Sequence, residues 1–263
     1  MPEKDKFSFG DDIIGELGNW GEKALVPVLT VSGLQLERRN KNREQFKSND
    51  IKLTEAHAFA CSAFMNLVSR NSGRRIEENP NTSQQVVLIS HFLQGINLCE
   101  EAIVEGLYVQ AATLLRQEHE IISAVQELGI DRRKDGKTPH ATVGVLKNMG
   151  RVYGELSGAA HVSHAQLLHD MVEMTRGDLR WPSAFPVYHR DLARNLYSLH
   201  VGYIVLMGRL ASEINEAIGL GGASDDEQTM MGLAISILHK EGLIEMEEAP
   251  LDKPIAKPER AAD

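Results

Sequence analysis

Between Asp191 and Ile218 the chain carries apolar side chains on nearly every side of a helical wheel, most densely from Leu196 to Met207. A helix without a polar face has to be enclosed. This run is far shorter than the roughly 20 residues that a bilayer span requires, and it contains His200. It therefore reads as the central helix of a bundle, and the remaining segments have to supply the helices that wrap it.

They carry the pattern to do so. Leu53, Ala56, Ala60, Phe64 and Leu67 recur at steps of three and four, as do Val86, Ile89, Leu93, Ile96 and Ile103. A third stretch, Leu107 to Leu128, carries Ala111, Leu114, Leu115, Ile121, Ile122 and Val125. A fourth helix is expected from about Leu146 or Arg151 to Thr175, closed by Gly177. The last is marked by a capping-box pattern, Ser224 with Glu227, and by a stop at Gly242. Hydrophobic residues make up 42% of the chain and aromatic ones only 5%, which favours helix over sheet. No alternation typical of strands is visible, and Trp181 to Pro186 reads as a proline-rich, aromatic-anchored loop. The predicted fold is all-α, an irregular bundle of about six to seven helices in a single domain.

Residues 49–243 hold that bundle. Residues 1–48 form a lead-in, irregular or partly helical because Gly18, Gly21 and Pro27 interrupt its apolar clusters, followed by a charged helix or linker from Glu37 to Glu44. Residues 244–263 carry Pro250, Pro254 and Pro258 among charges, and read as a disordered tail.

A net charge of −9 argues against a general nucleic-acid surface, which needs clustered Lys and Arg. Cys61 and Cys99 lie in apolar helical patterns and read as reduced core thiols. The first residues form neither a secretory signal nor a transit segment, so a cytoplasmic protein without membrane association is expected.

The polar signal lies in Arg151 to His164, where Tyr153, Ser157 and His161 stack on one helical stripe. Gly154 and Gly158 beside them would let another helix approach closely. On the third long helix Arg116 and Glu120 are one turn apart and can pair with each other and with the stripe. Glu118 and His119 between them suit an exposed setting. Arg116, Glu120, Tyr153, Ser157 and His161 are thus the candidate ligand-binding residues, with His161 and Tyr153 the candidate catalytic ones. A satisfied buried ladder and an open pocket are both compatible with this pattern. His161, His164, His169 and Asp170 are close in sequence, but no His-Glu-x-x-His or Glu-x-x-His occurs, so no metal is expected, and no cofactor.

Leu114-Leu115-Arg116 with Glu120, followed by Tyr153-x-x-Leu156-Ser157-x-x-x-His161, resembles a broad group of bacterial all-helical proteins of unknown function over about residues 50–215. The resemblance implies a cytoplasmic bundle with those residues as its polar centre. Arg194-Asn195-Leu196-Tyr197-Ser198-Leu199-His200 resembles the Arg-x(4–6)-His pattern of HEPN-type ribonucleases of defence or toxin systems. That likeness would make Arg194 a phosphate-charge stabiliser and His200 a general acid/base at a dimer cleft. Residues six apart on a helix diverge by about 120°. Two functions stay open: a binding or interaction protein, taking a partner protein or a small polar ligand and able to self-associate, and a HEPN-like ribonuclease acting on nucleic acid.

Overall fold

The computed structural model describes residues 11–74, 79–139 and 149–245. It is an all-α, single-domain bundle with, among the described residues, eight helices and one small hairpin: α1 Asp11–Asn49, α2 Ile51–Asn71, α3 Pro80–Val104, α4 Tyr108–Gly129, α5 Met149–Ala160, α6 Ala165–Val172, β1 Glu173–Arg176, β2 Leu179–Pro182, α7 Arg190–Ala217 and α8 Asp225–Lys240. The segment without a polar face is α7. It buries Tyr197, Val201, Tyr203, Ile204 and Met207 completely and packs against α2, α3, α4 and α8. Each such side chain contributes about 1.5–3 kcal/mol of burial.

Local chemistry sets the helix ends. Asn79 caps α3 by accepting the N–H groups of Asn81 and Thr82, with Pro80 in the first turn where its missing N–H costs nothing. Ser224 and Glu227 form the expected capping box on α8. By length and composition alone α3 is long and apolar enough to cross a bilayer. Ile89, Phe92, Ile96, Cys99 and Ile103 nevertheless bury one side of it in the core.

Three elements differ from expectation. The lead-in is one continuous helix, α1, that runs through Pro27. A proline removes a single backbone bond, and at Gly18 and Gly21 nothing approaches within 4 Å to divert the chain. From Trp20 to Arg38 no described residue of α1 is buried, and Leu25, Val26, Val28 and Leu29 are more than half exposed. The Tyr153 helix is shorter than its periodicity suggests: it ends at Ala160, and Val162 takes a left-handed backbone (φ 56°) before α6 begins. Finally, β1 and β2 form an antiparallel hairpin with Arg176 opposite Leu179 and Gly177 in the turn at φ 61°. Strands of four residues are too short to display alternation. The tail expected to be disordered lies, from residue 246, outside the described residues.

Candidate functional site

Helix α4 packs on α3, α5 and α7, so three of its sides are covered, and its polar residues point in two directions. Toward α5, Arg116 and Glu120 meet Tyr153. The Arg116 Nε donates to Glu120 Oε1 at 2.9 Å, and the Tyr153 hydroxyl donates to the same oxygen at 2.8 Å. Arg116 Nη2 donates to the Tyr153 oxygen at 3.4 Å, with the guanidinium carbon 5.6 Å from the ring centre. The remaining arm of Arg116 reaches His161, Nη1 to Nε2, at 2.6 Å. Because a guanidinium only donates, Nε2 accepts and Nδ1 carries the ring proton.

His161 stands just past the end of α5, yet its N–H still bonds the Ser157 carbonyl at 2.9 Å, which keeps it on the Tyr153 side. Ser157 contributes that carbonyl; among the described residues its half-buried hydroxyl has no hydrogen-bond partner. The glycines act otherwise than expected. Gly154 has no neighbour within 4 Å, whereas a Cβ on Gly158 would lie 2.6 Å from His164 Nδ1, so Gly158 makes room for the return of its own chain.

The Arg116 side chain is 20% exposed and that of Glu120 28%, and His161 is exposed, so the cluster is half-buried and open at its His161 end. Burial and the bond to Glu120 push the Tyr153 hydroxyl above its ordinary range. Burial works against the Arg116 charge, but Tyr153 and Glu120 outweigh it and raise the guanidinium further. A cavity of about 760 Å³ between α5, α6, α7 and α8 is lined largely by leucines such as Leu156, Leu167 and Leu199, and by none of these four polar residues.

In its other direction α4 sends Glu118 and His119 inward, contrary to the exposed setting expected for them. They are 3% and 0% exposed, because the faces between Arg116 and Glu120 are covered by α3 and α7. The His119 ring lies 5.2 Å from that of Tyr153, and its Nδ1 bonds the Tyr203 hydroxyl of α7 at 2.9 Å. Deeper still, His200 Nδ1 is 3.0 Å from both oxygens of Glu118, with the hydrogen bond directed at Oε2. The Cys99 thiol lies within 4.8 Å of the same carboxylate. His57 stacks on His200 with ring centres 5.3 Å apart, and Cys61 Sγ lies 3.4 Å from His57 Nε2. Glu100 accepts from the Tyr197 hydroxyl at 3.0 Å. Burial, then His200, lowers His57 to about 4, and burial raises Cys61 to about 12.

Sequence spacing could not reveal this interior network. Its members come from α2, α3, α4 and α7, and each looks like a lone polar residue in an apolar helix.

Arg194 and His200 do not share a cleft. Arg194 pairs with the buried Asp50, and with Glu241 at 3.1 Å, while His200 is fully buried against Glu118. The histidine-rich stretch is likewise dispersed: His169 faces Glu173 at 3.3 Å, Asp170 accepts from Gln166 at 2.8 Å, and His164 packs against Gly158.

Fold and site together define an all-helical domain with an internal network of buried polar and charged contacts. Comparison with known protein families, with curated sequences and with solved structures found no match to the chain.

Proposed function

We propose that the chain is a binding protein whose open Arg116 cluster takes a small polar ligand bearing a carboxylate or phosphate group. One observation carries this: Arg116 is held in a fixed orientation by Glu120, Tyr153 and His161 while its His161 side faces solvent. Three of the five guanidinium donors are committed, which leaves donors for an anion without rebuilding the cluster. The exposed imidazole beside it adds a second polar contact. The ribonuclease alternative requires Arg194 and His200 at one surface, and the complete burial of His200 speaks against it.

Calorimetric titration of the purified chain with inorganic phosphate and with acetate, at low ionic strength, tests the assignment. Saturable binding of at least one anion is expected, lost in Arg116→Ala and weakened in His161→Ala, with melting temperatures checked alongside. Binding unchanged in a folded Arg116→Ala variant would remove the site. An RNA-cleaving activity that disappears in His161→Ala at an unchanged melting temperature would replace binding by catalysis at the same cluster.

A further inference from the structure

The inner end of the polar network has a composition of its own. Cys99 of α3, Glu118 of α4 and His200 of α7 are all buried, and their ligand atoms lie within 4.8 Å of one another; they are the one such group of three or more among the described residues. We propose that these three side chains bind a divalent transition-metal ion of borderline softness, with zinc the ion whose preferences they match. Thiolate, imidazole and carboxylate are the donors that zinc takes, and tetrahedral ligands at its usual bond lengths stand roughly 3.5 Å apart. The observed spacing is within reach of that by modest side-chain rotation.

Two further observations point to a ligand. Glu118 Oε1, on a residue 3% exposed, is a buried atom without a hydrogen-bond partner. A carboxylate oxygen left unpaired in an apolar interior forgoes the hydrogen bonds it has in water with nothing in return. Among the described residues no Lys or Arg pairs with Glu118. A divalent cation supplies the missing positive charge: with Cys99 as thiolate, Glu118 ionised and His200 neutral, the occupied centre carries no net charge. On binding, the Cys99 S–H bond breaks and its proton passes to solvent, the proton on His200 Nδ1 moves to the unpartnered Nε2, and bonds from sulfur, Nδ1 and the carboxylate to the metal form, with no change of oxidation state.

Phe92, Gly95, Leu114, Gln117 and Glu118 line a cavity of about 20 Å³ between α3 and α4, room for one water-sized occupant next to Glu118. His91, also in its lining, and Gln117 are exposed and lie 2.8 Å apart. Gly95 narrows nothing there, since no atom lies within 4 Å of where its Cβ would be. On the far side, α2 closes the centre with His57 stacked on His200.

Cobalt(II) titration of the full-length reduced protein tests the site, because a cobalt–thiolate bond gives a near-ultraviolet charge-transfer band that histidine and carboxylate ligands alone do not. The expected result is a 1:1 complex with that band, displaced by zinc, and a melting temperature raised by either ion. The chain has two cysteines. Cys99→Ser should abolish the band and weaken zinc binding by about 100-fold or more, Glu118→Gln should weaken it by at least about 10-fold, and Cys61→Ser should leave both unchanged. Should Cys99→Ser fail to fold, the band persisting in Cys61→Ser assigns it to Cys99. No 1:1 complex with the unmutated protein, cobalt bound without a thiolate band, or a band lost in a folded Cys61→Ser variant would overturn the proposal.

Discussion

Asp50 links the end of α1 to the start of α7. Its carboxylate, fully buried, takes hydrogen bonds from Arg190 and Arg194, and from the Tyr188 hydroxyl at 3.2 Å. Burial alone would raise its pKa, but the two arginines outweigh burial and hold it below the ordinary carboxylate value. Asp50→Ala leaves Arg194, only 16% exposed, with Glu241 as its remaining carboxylate, and should cost about 1.5–3 kcal/mol in urea unfolding. His57 works on a different pH window. Its folded pKa of about 4 lies below the ordinary value of 6.5, so the unfolded chain binds the proton more readily between the two. Stability should therefore be full above about pH 6.5 and fall by up to about 3 kcal/mol as pH drops toward 4. His119 and His189, both lowered chiefly by burial, add to the same slope. Denaturant unfolding at intervals from pH 7.5 to about 4.5 should show this decline, flatter in His57→Gln. At this scale the outward half of the site was legible: Arg116, Glu120, Tyr153 and His161 announce themselves by helical spacing. Glu118 and His119 did not, because a period of 3.6 identifies neighbours on one helix but not how many of its faces are covered.

Among the elements, the α3–α4 corner is closely packed against backbone. Gly106 sits there with φ 79°, and a Cβ would fall 2.5 Å from the Val187 carbonyl oxygen and 2.7 Å from Asn42 Nδ2. Neighbouring Glu105, 2% exposed, is gripped by Arg39 and Arg43 of α1, and Asn42 Nδ2 bonds its carbonyl at 2.9 Å. Gly106→Ala has both a disfavoured backbone and a backbone clash to relieve, and should lower stability by at least about 2 kcal/mol in thermal or urea unfolding. Gly73→Ala, with a similar φ of 75° and nothing within 4 Å, should cost only the backbone part, about 1 kcal/mol. The sequence marked Gly106 as a break but not as a packing point, since Val187 arrives from 81 residues further on. The long core helices α2, α3, α4 and α7 were legible because each carries many apolar repeats, whereas α1 was not, since its exposed first half has, among the described residues, no buried face to set a period. The turn at Val162 was not, since no glycine or proline marks it and the left-handed residue is β-branched. Gly177-Asp178 between two short segments was the available sign of the hairpin.

Across the whole molecule, stability is unevenly shared. The clamps at Glu105 and Asp50 fasten only the last third of α1, whereas from Trp20 to Arg38 none of its described residues is buried. Removing residues 1–36 should therefore leave the melting temperature within a few degrees of the intact chain. It should also reduce self-association in sedimentation, since it deletes Leu25, Val28 and Leu29, each about 60% exposed. An unchanged sedimentation profile would show that these side chains drive no association. The polar network, by contrast, spans the bundle from exposed His161 through Arg116, Tyr153, His119 and Tyr203 to the α7 interior. At about 1.5 Å of rise per residue, the part of α1 from Asp11 to Leu36 is a rod about 40 Å long. Whatever engages its outer end is held about that length away from the clamps at Glu105 and Asp50, so α1 is a spacer as much as a surface.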